Sequence, residues 1–244
     1  MSTLSRKQRE IQQREGMLLD VARKMLVEQG YAGLSMDRIA ELTEYSKGVI
    51  YQHFSSKEDL VTAMAVQSLQ RRVEYFSRAA AFQGRPRERM MAIGVAEELF
   101  VRLHPHYFHS ELIIKMASLK ERVSSERLED LRKEQNQCFG RVRSIVQAAI
   151  DCGDLVLPPK LEQADIVVGL WSLNMGAYSL MHTDREMLVE NGVTAPLTGV
   201  RVHCHALLDG YGWKPLVAEW DYENSYRRIL KEVFPEECLQ AGLE

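Results

Sequence analysis

The stretch SMDRIAELTEYSKGVIYQHFSSKEDL, residues 35–60, decides the fold of the N-terminal part of the chain. It contains two short apolar-periodic segments separated by a tight break, and each follows a serine suited to cap a helix. Ser56 stands three residues before Asp59 and predicts the start of a longer helix. Two short helices joined by so tight a turn must cross steeply, as in a helix-turn-helix. The second helix is too short to be stable alone, so its neighbours must hold one side while the other side faces outward.

The second helix is predicted to bury an apolar side and to expose a polar one. Val49 or Ile50 and the ring of Phe54 are expected to pack inward. The outward positions are predicted to be Ser46, Lys47, Gly48, Gln52 and His53. Such side chains hydrogen-bond base edges or phosphates, and a glycine permits close approach of the backbone. The pattern therefore predicts a helix that enters a groove of DNA.

The stretch from about Leu18 to Leu60 resembles the DNA-binding domain of the TetR family of transcriptional repressors. The agreeing residues are Gly30, Tyr31, residues 35–40, Ser46, Lys47, Gly48, Tyr51, His53, Phe54 and residues 57–60. The resemblance implies that Ser46, Lys47, Val49, Gln52 and His53 lie on the recognition helix. It also implies that Ser35, Tyr51 and Lys57 contact phosphates, and that the protein binds a near-palindromic operator as a homodimer.

One position departs from the family pattern. Glu44 stands where the family usually has glycine in the turn, and Tyr45 follows it in place of a small aliphatic residue. If Glu44 must adopt a positive φ, the strain is of order 1 kcal/mol or more. Its carboxylate also brings a negative charge near the DNA.

The rest of the chain is predicted to be helical as well. Apolar periodicity predicts helices at about 87–103, 107–119, 124–151, 161–182, 196–208 and 219–233. Gly84 and Pro86 make the first strong break after the long helix that follows Ser56. We therefore expect an all-α protein with a DNA-binding domain over residues 10–70 and a larger helical domain for effector binding and dimerisation over residues 71–244.

Two apolar segments of the larger domain are candidates for function. A pocket wall is predicted from Leu103, His104, Tyr107, Phe108, Leu112 and Met116, with His104 supplying an orienting hydrogen bond, although plain core is the alternative. On a later helix the candidates are Trp171, Met175, Ala177 and Tyr178, which fit a core, a ligand wall or a dimer interface. The resemblance favours the interface, and it implies a small apolar or amphipathic effector.

Composition excludes several other classes. The 244-residue chain has a net charge of −3, yet residues 1–24 carry six basic and three acidic side chains, a local charge of +3. The four cysteines form no CxxC pair, and no apolar run is long enough to span a membrane. His203 and His205 would point in nearly opposite directions on a helix, so no metal site is predicted. We expect a cytoplasmic protein without metal or cofactor.

Two alternatives to a ligand-responsive repressor stay open. The first is a DNA-binding factor that uses the same N-terminal domain without any effector. The second is a helical enzyme, which would need a convergent set of titratable residues. No nucleophile with a base partner and no glycine-rich phosphate loop supports the second alternative.

Overall fold

The computed structural model describes residues 5–116 and 119–243, and most of these residues lie in helices. No β-strand occurs in either described range, which confirms the predicted all-α fold. The helices are α1 (Arg6–Gly33), α2 (Met36–Thr43), α3 (Lys47–His53), α4 (Lys57–Ala80), α5 (Pro86–Leu103), α6 (Pro105–Met116), α7 (Ser125–Asp151), α8 (Gln163–Thr183), α9 (Arg185–Glu190), α10 (Pro196–Gly210), α11 (Tyr222–Val233) and α12 (Pro235–Gln240). None of them combines the length and hydropathy needed to cross a membrane.

The helices divide into two compact units. Unit 1 comprises Met1–Leu69 and His106–Glu134, and unit 2 comprises Gln70–Pro105 and Gln135–Glu244. This division differs from the boundary expected near residue 70, because residues 106–134 group with the N-terminal helices. Ion pairs and hydrogen bonds join this segment to the N-terminal helices. For example, Arg127 contacts Glu15 at 3.0 Å.

Unit 2 is organised around α5. Pro86 occupies the first turn of this helix, where the missing amide hydrogen costs nothing. The guanidinium of Arg87 is fully buried, donates to the backbone carbonyl of Pro215 at 2.8 Å and pairs with Asp209 at 2.6 Å. Arg87 thereby fixes the turn after α10 against the start of α5.

An aromatic cluster fills part of the core of unit 2. The ring of Tyr75 stacks on Phe234 and meets Phe100 edge-on, with ring centroids 5.7 and 5.8 Å apart. The rings of Phe100 and Phe234 have no exposed surface. Burial of such large apolar rings is the main favourable contribution to folding.

Candidate nucleic-acid interface

The first three helices form the expected helix-turn-helix around a shared apolar core. Leu18 and Leu26 from α1, Ile39 from α2 and Ile50 from α3 are completely buried, and Phe54 closes the core after α3. The Gly30 φ of 68° breaks the helical path near the end of α1, a conformation that glycine adopts at little cost. The core therefore fixes one side of α3 and leaves the other side outward.

Serine caps begin the two helices of the motif. The Ser35 hydroxyl accepts a hydrogen bond from the Arg38 amide, and the Ser46 hydroxyl accepts one from the Val49 amide, both at 3.4 Å. These bonds satisfy amide groups that the first turn of a helix leaves unpaired. Each hydroxyl keeps its own proton as a donor, which a phosphate oxygen can accept.

Glu44 adopts the left-handed conformation that the sequence raised as a possibility. Its φ and ψ are 56° and 23°, and the next amide, that of Tyr45, donates to the Ala40 carbonyl at 3.2 Å. The turn thus keeps the geometry that glycine normally provides. The side chain at this position costs of order 1 kcal/mol.

The outward face of α3 is polar and accessible. Lys47, Gly48, Tyr51 and Gln52 are exposed, and Val49 is half-buried beside them. The Lys47 ammonium lies 2.7 Å from the Asp37 carboxylate, and this hydrogen bond raises the pKa of Lys47. Lys47 is therefore positively charged at neutral pH and is held toward α2.

His53 does not face outward as the sequence predicted. Its side chain is only 8% exposed, and its Nδ1 atom lies 4.0 Å from a Glu15 carboxylate oxygen on α1. His53 follows the buried Ile50 by three residues, so helical geometry turns both side chains to the same side. Burial lowers the pKa of His53, although the charge of Glu15 opposes the shift. The prediction that His53 belongs to the exposed face is wrong.

Lys57 lies at the start of α4 against an aromatic ring. Its ammonium is 4.1 Å from the centroid of Tyr31, within the range of a cation–π interaction. Burial lowers the pKa of Lys57 from its ordinary value of 10.5. The ammonium thus lies beside the first turn of α4.

The segment before α7 joins the start of α4, a contact that sequence reasoning missed. The Ser56 hydroxyl donates to the Arg122 carbonyl at 2.6 Å. The Asp59 carboxylate accepts from the Ser124 amide at 3.2 Å and from the Ser124 hydroxyl at 2.9 Å. The Ser56–Asp59 spacing indicated a helix cap, but no local signal identifies a partner so distant in the sequence.

The predicted pocket residues divide between the two units. In unit 1, Phe108 and Leu112 are buried and Tyr107 is half-buried with the Arg23 guanidinium over its ring at 4.4 Å. In unit 2, Leu103 is half-buried, and the His104 Nε2 atom lies 3.3 Å from the Tyr75 hydroxyl. The side chain of Met116 lies outside the described part of the structure. The assignment of these residues to one pocket stays a prediction.

The predicted interface helix, α8, presents an apolar surface, but not through all of the expected residues. Trp171 is 50% exposed, and Met175 and Ala177 are half-buried. Tyr178 is buried, and burial raises the pKa of its hydroxyl, so the core is favoured for this residue among the three alternatives. Val168 and Leu180 of α8 and Val202 of α10 are exposed and extend the apolar surface.

The histidines and cysteines do not converge on a metal site within the described ranges. No group of three or more His, Cys, Asp or Glu side chains there could hold an ion. The ring centroids of His205 and Tyr222 lie 4.6 Å apart. Burial is the main cause that lowers the pKa of His205, and the positive charge of Arg87 adds to it.

Comparison with known proteins agrees with this geometry. The family model described as bacterial regulatory proteins, tetR family, matches residues 18–64. The HTH-type transcriptional activator FasR of Mycolicibacterium smegmatis is 45% identical over 62 residues, which are 25% of this chain and 26% of FasR. The HTH-type transcriptional repressor AcnR of Corynebacterium diphtheriae is 37% identical over 65 residues, which are 27% of this chain and 34% of AcnR. The chain thus spans only about a quarter to a third of the length of these curated relatives.

The similarity of fold extends over most of the chain. The crystal structure of the transcriptional regulator FadR from Bacillus subtilis, in complex with stearoyl-CoA, superposes with a TM-score of 0.61. The alignment covers 80% of this chain and 98% of FadR, at 14% identity. The geometry of α1 to α3 and the family match define residues 18–64 as a helix-turn-helix domain. This domain is of the type found in bacterial regulatory proteins of the tetR family.

Proposed function

We propose that the chain is a sequence-specific DNA-binding regulator of transcription, and that it represses its target genes as a homodimer. The observation that carries this proposal is the exposed polar face of α3, which is held outward by the buried Ile50 and Phe54. A recognition helix supported in this way is how helix-turn-helix proteins read the major groove. We expect the protein to act in the cytoplasm, where the bacterial chromosome lies.

Each exposed group of the motif suits a particular part of DNA. Gln52 can bond an adenine edge in a bidentate manner, and Lys47 can donate to guanine. Val49 can contact a thymine methyl group. Ser35, Tyr51 and Lys57 can donate to phosphate oxygens on either side of the groove, and the exposed Ser46 and Gly48 permit close approach at the start of α3.

The direct test is selection of bound duplexes from a random pool. The expected result is a near-palindrome, because a two-fold symmetric dimer places the same helix in two half-sites. The half-site centres should lie one helical turn apart, or a multiple of it. Recovery of no enriched sequence at low and moderate salt would overturn the proposal.

We propose that α8 and α10 form the dimer interface. Their exposed apolar residues, Val168, Trp171, Leu180 and Val202, lie on helices that pack against each other in unit 2. Apolar surface of this kind is typical of an interface between subunits. Two such helix pairs would associate around a two-fold axis.

We also propose that a small amphipathic effector weakens DNA binding. Support comes from the apolar and aromatic residues of α6 and from the stearoyl-CoA bound to FadR, a protein of similar fold. An effector can act only through its preference for the conformation that binds DNA less well, and 1–3 kcal/mol of preference corresponds to roughly 5–150-fold. Operator DNA must then weaken effector binding by the same factor.

A thermal-shift measurement with stearoyl-CoA tests the effector proposal, with coenzyme A alone as the matched control. Stearoyl-CoA should raise the melting temperature and displace labelled operator, whereas coenzyme A should do neither. Stabilisation without displacement would refute the coupling. If a broader panel of acyl-CoAs and steroids gave no stabilisation, the effector-independent alternative would replace this proposal.

A further inference from the structure

The first turns of α1 form a basic arm that no other element of residues 5–116 or 119–243 covers. We use the name basic arm for residues 5–13, each of which is exposed. The arm is a capped helix: the Ser5 hydroxyl accepts from the Gln8 amide at 3.2 Å, and the Gln8 side chain accepts from the Ser5 amide at 2.8 Å. Such a reciprocal cap stabilises the start of a helix, so the arm is shaped before any partner binds.

The side chains of the arm suit a polyanion and do not suit an apolar partner. Arg6, Lys7 and Arg9 outnumber the single acid, Glu10, and the arm has a net charge of +2. Arg6 pairs with Glu10 at 2.9 Å, yet the Arg6 side chain is 90% exposed. Ile11 is the one apolar residue of the arm, so the arm lacks the apolar stripe that a membrane surface or a partner groove requires.

The base of the arm lies beside the start of the recognition helix. The Arg14 guanidinium, at the base of the arm, lies 5.4 Å from the ring centroid of Tyr45. Tyr45 directly precedes Ser46, the N-cap of α3. An open cleft of about 330 Å³, lined by Glu10, Gln13, Arg14, Met17 and Tyr45, separates the arm from the turn. The arm therefore extends from the end of α3 that contacts base edges in helix-turn-helix complexes.

The length of the arm defines its reach. Arg6 precedes Arg14 by eight residues, which corresponds to about 12 Å along a helix. This distance spans about three to four base pairs of duplex, at 3.4 Å per base pair.

We propose that the basic arm binds phosphates of the DNA that flanks each half-site, outside the base pairs read by α3. This inference rests on the proposed function and extends it to a second contact surface. Arg14, at the base of the arm, places positive charge beside Tyr45, the residue that follows the acidic Glu44. The phosphate contacts are independent of sequence, so they contribute affinity and not base preference.

The test compares two triple variants with the same change of charge. The arm variant is Arg6→Gln, Lys7→Gln and Arg9→Gln, which leaves Ser5 and Gln8 in place. The control variant is Arg132→Gln, Lys133→Gln and Arg143→Gln, three exposed positions on α7. Glutamine keeps a high helix propensity in both variants.

Operator affinity is measured by fluorescence anisotropy as a function of salt, on a selected operator with long flanks and on one trimmed at the half-sites. With long flanks, the salt slope of the arm variant should fall by about 2–3, because each lost phosphate contact reduces it by about 0.9. The control variant should keep the wild-type slope. Trimming the flanks should weaken the wild type and the control, and should leave the arm variant unchanged.

The outcomes separate this inference from the proposed function. A wild type that binds its operator, together with an arm variant of unchanged slope and unchanged response to trimming, would overturn the arm inference alone. A wild type that selects no sequence would overturn the proposed function, and the arm inference would fall with it. Equal loss of slope in both variants would indicate a general effect of net charge and would also overturn the inference.

Discussion

The Asp59 carboxylate and Ser124 are joined by two hydrogen bonds that link the first turn of α4 to the segment before α7. Asp59 is 3% exposed, and its second carboxylate oxygen accepts from the Ser55 amide at 3.0 Å. Both oxygens of this carboxylate are therefore occupied by donors. The contact fixes the place where α4 begins, immediately after the recognition helix.

We expect Ser124→Ala to lower the free energy of unfolding by about 1.5–3 kcal/mol, because the variant loses a hydrogen bond to the Asp59 carboxylate and the bond that the hydroxyl accepts from the Arg127 amide. Chemical denaturation measures this change. Ser144→Ala is the matched control, because that hydroxyl is exposed and bonds only within its own helix, to the Arg141 carbonyl. The control should change stability by less than about 0.5 kcal/mol. Equal effects of the two substitutions would show that neither hydrogen bond of the Ser124 hydroxyl stabilises the fold.

Gln52→Ala should change base preference. Loss of a bidentate contact costs about 1–3 kcal/mol at the affected position, and selection from a random pool should reveal relaxed preference there. His53→Gln is the control, because the His53 side chain is buried against α1. The histidine variant should select the wild-type sequence. If His53→Gln changed the base preference and Gln52→Ala did not, the inward placement of His53 would be incorrect for the DNA-bound state.

Trp171→Glu should produce monomers with weak operator affinity, because a buried unpaired charge opposes association. Sedimentation velocity measures the change in oligomeric state. Val217→Glu provides a matched control, since Val217 is 45% exposed, close to the 50% of Trp171, and lies on neither α8 nor α10. That variant should remain dimeric. A wild type that is monomeric with and without DNA would contradict the interface.

Stability should fall as the pH drops below about 6.5, the ordinary pKa of histidine. Burial lowers the pKa of His53 in the folded chain, so the unfolded chain binds this proton at a higher pH than the folded chain does. The contribution of neutral His53 to the free energy of unfolding is therefore complete above the pKa of histidine in the unfolded chain. It is lost as the pH falls from that value toward the lower pKa of His53 in the folded chain. Denaturation of the wild type and His53→Gln between pH 7.5 and 5 should give a shallower dependence for the variant, with a difference of at most about 1.4 kcal/mol per pH unit. If the free energies of unfolding of the wild type and His53→Gln changed equally with pH, His53 would not be the source of this pH dependence.

Local signals in the sequence predicted much of the DNA-binding motif. The serine caps, the tight turn and the inward positions of Ile50 and Phe54 each depend on residues within a few positions of one another. Glu44 belongs to the same group, because the turn geometry requires a positive φ whichever residue occupies the position. The main helices after residue 86 were also predicted from apolar periodicity.

Features that depend on distant residues were not predictable in this way. The orientation of His53 is decided by where α1 crosses α3, and the position of Arg127 is decided by its ion pair with Glu15, 112 residues earlier. The six-residue helices α9 and α12 are too short for periodicity to distinguish them from turns. The burial of Tyr178 likewise reflects packing within unit 2 that its helical spacing alone does not reveal.

The inclusion of residues 106–134 in unit 1 has a consequence for synthesis of the chain. The partners of Ser56, Asp59 and Glu15 in this segment are Arg122, Ser124 and Arg127. A nascent chain that has emerged only to residue 70 has all of the helix-turn-helix but none of these partners. Unit 1 therefore completes its contacts only after α6 and the start of α7 have emerged from the ribosome. A truncated chain that ends after α4 would leave the buried Asp59 carboxylate without its partner Ser124.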